Sequence, residues 1–471
     1  MNKYQKLLSN TVILAAGTFG SKLLVLFMVR FYTACLSTEE YGTADVITQT
    51  ANLLIPLLCI GITDAVFRFA LDKDTDPRGV LSSGFFTILA GGTFFALLTP
   101  LMNLIPFFRG YAWLIFSYTF FSCMHTLCTQ YIRARGKMKL FAGFGILSTA
   151  VTILLNLLFL LVFDLGVTGY VLSVVLSDVI TTVLLILKEK LYLDIRLSAV
   201  NSPLLVAMLR FSIPMIPTTV FWWMTNVADR YMVSGMIGLD ADGLYAVAYK
   251  IPTILILLSG IFIEAWQFSA VSERDGDDHS AFFSTVFDSF QALMFIAGCG
   301  LTAFAKIATK IITTAEFYPS WQYIPVLSVA TIFSSLVTFM GSVYLVEKKS
   351  VMSFVTSMTG ALLNCVLNFI LIPTMGVNGA AIATFASYLV VFIIRAVNSR
   401  RYIRFNLHPV KLTVNTLLAC VQAYFMVLEE AFWIPVQIVV LLLIFILNAK
   451  PILVGIARVL RLDRKSGKTS V

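Results

Sequence analysis

Fourteen long apolar stretches, separated by short polar gaps, restrict this chain to structures that live in a lipid bilayer. A stretch such as residues 140–163 makes about 36 Å of helix, enough to cross a ~30 Å hydrocarbon core with some tilt. The runs are continuous rather than alternating, so helices and not barrel strands are expected. With 59% hydrophobic and only 13% charged residues among 471, the composition excludes an ordinary soluble domain. Spans are expected near 10–31, 43–70, 80–102, 111–132, 140–163, 167–187, 204–234, 243–270, 281–304, 321–346, 351–372, 378–397, 410–428 and 434–450. The first has no short apolar core followed by a small-residue cleavage site and reads as a retained helix.

Charge sets the orientation. Of the 34 Lys and Arg residues, 25 fall at the N-terminus, in alternate gaps or in the C-terminal tail, Arg395 counted among them. The opposite gaps hold only Arg109, Lys306 and Lys310. The crowded side is expected to be cytoplasmic, with both termini there. The net charge of +9 is dispersed over loops where anionic headgroups attract it, and no nucleic-acid partner is implied.

An internal repeat divides the chain. Leu154-Leu155-Asn156 before Gly166-Val167-Thr168-Gly169 matches Leu362-Leu363-Asn364 before Gly376-Val377-Asn378-Gly379. Gly61-Ile62 with Phe67 and Phe69 matches Gly260-Ile261 with Trp266 and Phe268 less closely. Six spans per half is an even number, so the halves share orientation, with a pseudo-two-fold axis along the membrane normal and a substrate path between them. The expected organisation is an N-terminal six-helix lobe over 1–190 and a second lobe over 204–400. Two further helices over 401–450 and a basic tail over 451–471 complete it.

Six basic residues lie in or at the edge of spans: Lys22, Arg30, Arg68, Arg210, Arg230 and Lys250. A lysine at the centre of a lipid-facing helix costs roughly 2.5–3.5 kcal/mol, and five such residues about 12–17 kcal/mol, so they cannot all face hydrocarbon. Lys22 shares a small, polar stripe with Thr11, Ala15 and Thr18, which suits an aqueous cavity; the alternative is an ion pair, with Asp178 the candidate. Arg30 lines a cavity or snorkels to headgroups. Arg68 lies one turn after Asp64, the spacing of an i,i+4 pair. Arg230 follows Asp229, which can neutralise it. Lys250 precedes Pro252, which frees the Ala248 carbonyl and so requires protein or water nearby. Arg210 reads as an interface anchor. A wet, mostly cationic cavity favours an anionic ligand. Among the acids Asp45, Asp64, Asp178, Asp229, Glu264 and Asp288, Asp178 is the deepest, a proton- or Na⁺-sensitive group or a counter-ion.

Other motifs carry little. Cys35, Cys59, Cys123, Cys128, Cys299, Cys365 and Cys420 lack metal-ligand spacing and read as packing residues, so no metal site and no cofactor is expected. His125 reads as a satisfied packing histidine. Asp72-Lys73-Asp74 and Asp240-Ala241-Asp242 are solvated loop charges, and Gly467-Lys468-Thr469 lacks the upstream glycine of a phosphate loop.

Several stretches resemble the Wzx-type polysaccharide repeat-unit flippases of the MOP exporter superfamily. They are Tyr249-Lys250-Ile251-Pro252-Thr253-Ile254 leading to Ala265-Trp266-Gln267 and Glu273; Leu371-Ile372-Pro373 before Gly376-Val377-Asn378-Gly379-Ala380-Ala381-Ile382-Ala383-Thr384; Glu40-Tyr41-Gly42; and Phe67-Arg68-Phe69. The resemblance implies an all-α integral membrane fold with two six-helix lobes in a V, alternating access, and a cationic central cavity. Its substrate would be a lipid-linked anionic saccharide on a carrier such as undecaprenyl pyrophosphate. It carries Lys22, Arg68, Arg230 and Lys250 over to that cavity, and implies a bacterial-type cytoplasmic membrane with polymerase and export machinery as further partners. The last two spans are in a position to shape a groove for the lipid tail. Multidrug exporters of the superfamily usually place an acid in the first span; here it holds Lys22 and Arg30, which argues against cationic drugs. A membrane-embedded saccharide polymerase or ligase is the competing enzyme reading, and the outer loop over 305–320 is short for it.

Overall fold

Ser37 shows how a helix begins here. Its hydroxyl accepts from the Glu40 amide at 3.2 Å while the Glu40 carboxylate accepts from the Ser37 amide at 2.9 Å, a reciprocal cap that starts the helix after the first span. The computed structural model describes residues 26–72, 75–105, 108–272, 279–347, 349–429 and 432–466. Lys22, most of the first expected span, Lys73, Asp74, Glu273 and the 467–471 segment lie outside them.

In chain order the helices are α1 (Leu26–Cys35), α2 (Thr38–Leu58), α3 (Ile62–Ala70), α4 (Pro77–Met102), α5 (Ala112–Ala134), α6 (Met138–Leu157), α7 (Gly166–Glu189), α8 (Ser202–Ser212) and α9 (Ile216–Met236). They continue as α10 (Leu239–Lys250), α11 (Thr253–Ser272), α12 (His279–Ala303), α13 (Ala305–Ile312), α14 (Ile324–Val346), α15 (Ser350–Met375), α16 (Val377–Ser399), α17 (Pro409–Leu428) and α18 (Trp433–Ser466). Among the described residues ten helical segments are long and apolar enough to cross a membrane, or twelve if each of two bent pairs is one span. These twelve coincide with expected spans. The stretch over 111–132 is the long helix α5, made less apolar by its hydroxyls, His125, Gln130 and Arg133.

The bent pairs are α2 with α3, at 57°, and α10 with α11, at 42°. They are the second and eighth expected spans, which the repeat puts in correspondence. The breaks differ in cause. Gly61 turns the first with a left-handed φ of 62°, whereas the second falls at Ile251–Pro252 and Gly260 lies inside α11. In the stronger repeat both copies place a positive-φ glycine where a helix starts: Gly166, at φ 50°, is the first residue of α7, and Gly376, at φ 62°, immediately precedes α16. The glycine three residues on admits close packing, since a Cβ at Gly379 would lie 2.3 Å from the Leu371 carbonyl oxygen.

The chain divides into two compact units between Val227 and Ala228, within α9. The first packs around Ile62, Val66, Leu81, Ile88, Leu127 and Ile132. The second packs around Phe287, Phe290, Phe333, Phe339 and Phe392. Trp266 belongs to this core: it stacks on Phe339 with ring centroids 5.0 Å apart and donates to the Ser342 hydroxyl at 2.8 Å.

Candidate functional site

Asp229 is the centre of a buried polar chain built by four helices of the second unit. Tyr245 and Tyr249 stand one turn apart on α10, so both hydroxyls reach the same side and each donates to Asp229 Oδ2 at 2.8 Å. Thr384 of α16 donates to that oxygen at 3.3 Å, and the Arg230 amide donates to Oδ1 at 3.0 Å. The chain continues outward from Thr384. Asn364 Nδ2 of α15 donates to the Thr384 hydroxyl at 3.2 Å, and Asn368 Nδ2 donates to Asn364 Oδ1 at 2.9 Å. Asn368 Oδ1 ends it, fully buried and without a hydrogen-bond partner among the described residues.

The energetics explain the density of donors. Asp229 is 1% exposed, and a carboxylate taken from water without compensation is very costly; four donors and the neighbouring guanidinium supply the compensation. Arg230 is 8% exposed, with its guanidinium 4.8 Å from the Tyr249 ring centroid. Tyr249 therefore serves both charges, donating to the acid and presenting its face to the cation. Lys250, next in the chain, is half-buried and ends α10 at the bend before Pro252. The Asp229, Thr384 and Asn364 oxygens are engaged by these donors, and Asn368 Oδ1 is the member of the chain left without a partner among the described residues. Among the described residues no cluster of three or more His, Cys, Asp or Glu could hold a metal ion.

A second buried acid lies in the first unit. Asp178 of α7 accepts from the Ser122 hydroxyl of α5 at 2.5 Å. One turn along α5, His125 Nδ1 lies 3.1 Å from the Thr181 hydroxyl and 3.3 Å from that of Thr182. The partner envisaged for Asp178, Lys22, lies outside the described residues.

The remaining expected residues are on the surface. Arg30 is exposed on α1, and Asp64 and Arg68 are both exposed on α3 with no ion pair between them. Their i,i+4 spacing permits the pair, but two exposed side chains lose rotamer freedom in forming one and gain little. Arg395 corrects the sequence reading. Counted there with the cytoplasmic gaps, it lies within α16 at 5% exposure. Its guanidinium donates to Thr356 Oγ1 at 2.9 Å, the Val337 carbonyl at 2.8 Å and Ser357 Oγ at 3.0 Å. Sequence reasoning also missed Tyr245, Tyr249, Asn364, Asn368 and Thr384 as a site. Tyr245 and Tyr249 at i,i+4 with Asn364 and Asn368 at i,i+4 were the available signal.

A polar pocket of about 510 Å³ in the first unit is lined by Glu39, Glu40, Tyr111 and Asp164 among others, and its acids disfavour an anionic ligand.

Solved structures share this architecture. The lipid II flippase MurJ in an inward closed conformation aligns with a TM-score of 0.71 at 15% identity, covering 93% of this chain and 98% of its own. An inward-facing multidrug resistance MATE family transporter of the MOP superfamily aligns with a TM-score of 0.66 at 15% identity, over 81% of this chain and 95% of its own. A MOP superfamily transporter from Pyrococcus furiosus, described as having a binding pocket of reverse polarity, aligns with a TM-score of 0.58 at 15% identity, over 83% and 94%. No curated protein matches by sequence. The protein is thus an all-helical membrane protein with the MOP transporter fold. A family model described as polysaccharide biosynthesis protein matches residues 7–267, and the chain belongs to that family.

Proposed function

We propose that this protein flips an undecaprenyl-pyrophosphate-linked oligosaccharide from the inner to the outer leaflet of a cytoplasmic membrane, by alternating access, for surface polysaccharide biosynthesis. The family membership and the flippase fold support a lipid-linked substrate. The observation that supports the anionic headgroup is Arg230, a cation buried in α9 within the seventh expected span and followed along the chain by half-buried Lys250. A fold does not fix a substrate; the charge of the site does. The Pyrococcus furiosus protein, whose reversed pocket polarity is said to suggest a different function, illustrates this.

In this reading Lys22, Arg68, Arg230 and Lys250, with Arg30 at the edge, present positive charge to the pyrophosphate and offset its desolvation, which otherwise blocks flipping. No bond of the substrate is made or broken. Asp178 is the candidate for a coupling ion, with Asp229 and Asp64 as further candidates for that role or as counter-ions to the cations. Both termini face the cytoplasm, and a polymerase and export machinery take the product onward.

Lys22→Gln and Lys250→Gln variants at normal protein level test the reading. Lipid-linked saccharide accumulates on the cytoplasmic leaflet if it holds. Undiminished export in both variants removes the site assignment, and a changed susceptibility to cationic drugs instead favours the multidrug branch.

A further inference from the structure

Arg133 is held in place without spending its hydrogen bonds. Its guanidinium carbon lies 4.9 Å from the ring centroid of Phe67 on α3 and 5.4 Å from that of Phe141 on α6, so two helices fix the head of a side chain from a third. Among the described residues it makes no hydrogen bond and no ion pair, and its Nε is buried without a partner. We propose that Arg133, with Gln130, binds the phosphate group of a hydroxyl-bearing phosphate ester. Neither residue is among the cations of the flippase reading, and the site rests on that reading only where the ester is the substrate's own.

Other fixed arginines are already paired. Arg395 spends its guanidinium on Thr356, Val337 and Ser357, Arg78 pairs with Asp194 at 3.1 Å, and Arg135 donates to the Tyr131 hydroxyl at 3.1 Å. Ring faces attract the charge of a guanidinium and leave its in-plane N–H groups unused. Arg133 is thus oriented and half-buried, with the Nη pair as the edge left open. A planar fork in that condition takes two oxygens of one phosphate at once. Holding the side chain in advance also removes an ordering cost that a loose surface cation meets on binding.

Gln130 stands three residues before Arg133 on α5 and shares its side of the helix. Its Oε1 is likewise buried without a partner among the described residues. That oxygen needs a donor, and a hydroxyl beside the phosphate supplies one; saccharide and glycerol headgroups both carry such a hydroxyl. Depth favours phosphate over other anions. Arg133 lies in the last turn of α5, which ends at Ala134, and at the end of a membrane helix the anions at hand are headgroup phosphates. Local charge agrees. Arg135 and Lys188 are exposed at the same end, Lys188 lying 5.8 Å from the Phe144 ring centroid, while Glu189 is taken up by Lys137. Exposed Asp64, one turn before Phe67 on α3, makes no ion pair with Arg133.

The test uses full-length protein in a maltoside detergent, which carries no phosphate, and equilibrium dialysis of radiolabelled glucose 1-phosphate and inorganic phosphate. Arg133→Gln breaks no hydrogen bond of the fold and is expected to weaken glucose 1-phosphate binding about 10- to 100-fold. Phe67→Leu and Phe141→Leu keep the charge but release the head, and each weakens it about threefold. Gln130→Leu weakens glucose 1-phosphate and spares inorganic phosphate. Lys139→Gln, an exposed control on α6, leaves both unchanged. Wild-type affinity in Arg133→Gln, an equal loss in Lys139→Gln, or no binding by the wild type overturns the proposal. If a phenylalanine variant does not fold, Arg133→Lys decides in its place: it keeps the charge without the fork, and wild-type affinity there also overturns the site. Phosphatidylglycerol nanodiscs then separate the sources. Glucose 1-phosphate binding abolished by that lipid assigns the site to bilayer headgroups; binding that persists, with slower saccharide flipping by Arg133→Gln, assigns it to the substrate. Absence of any flipping by the wild type defeats the flippase reading and leaves the binding result standing.

Discussion

Asp229 and Thr384 stand 155 residues apart in the chain, yet the Thr384 hydroxyl reaches Asp229 Oδ2 at 3.3 Å. That contact ties α9 to α16, and with Tyr245 and Tyr249 it gathers three hydroxyls on one oxygen.

Tyr245→Phe and Tyr249→Phe are each expected to lower stability by about 1.5–3 kcal/mol, the range for hydrogen bonds to a charged group. Because both serve one oxygen, the double variant should depart from additivity by at least about 0.5 kcal/mol. Denaturant unfolding in detergent, run as a double-mutant cycle, measures both quantities; strict additivity contradicts the shared-acceptor account.

Arg395→Lys should destabilise at least as much as Arg395→Leu, against the usual ranking of conservative changes. Lysine keeps the buried charge but cannot serve Thr356, Val337 and Ser357 at once, whereas leucine removes the charge altogether. Thermal unfolding of the two variants settles the order, and a clearly milder lysine variant refutes the role given to the planar fork.

Glycines of opposite setting should respond oppositely. Gly91→Ala brings a Cβ to 2.1 Å from the Leu58 carbonyl oxygen, forces α2 and α4 apart and should cost about 1–3 kcal/mol. Gly145→Ala, with no atom within 4 Å of the added carbon, should gain about 0.5–1 kcal/mol through helix propensity. Equal effects of the two in a melting assay would mean that the Leu58 contact is not tight.

Lys306 lies 4.4 Å and 4.1 Å from the ring centroids of Trp321 and Trp433 and pairs with Glu429. Lys306→Met should therefore cost about 1–2 kcal/mol and change the tryptophan emission. An unaltered spectrum and melting point would show that the aromatic cage holds nothing together.

The apolar runs by themselves determined that the chain is helical and membrane-bound, because a bilayer leaves no other way to satisfy the backbone. Residue type also picked out Arg230, Lys250 and Asp229, since a charge in hydrocarbon is costly wherever it is read. The repeat marked Gly166 and Gly376 as equivalent positions, and the structure adds that both take a positive φ.

Only the tertiary structure decided which charges are buried together. Asp64 and Arg68 had pairing spacing and stayed exposed and apart, while Arg395, placed by sequence in a gap, is enclosed by α14, α15 and α16. Spacing along one helix fixes which residues share a face, but which face meets a neighbour depends on packing between helices distant in sequence. Tyr245, Asn364 and Thr384 converge on Asp229 for that reason.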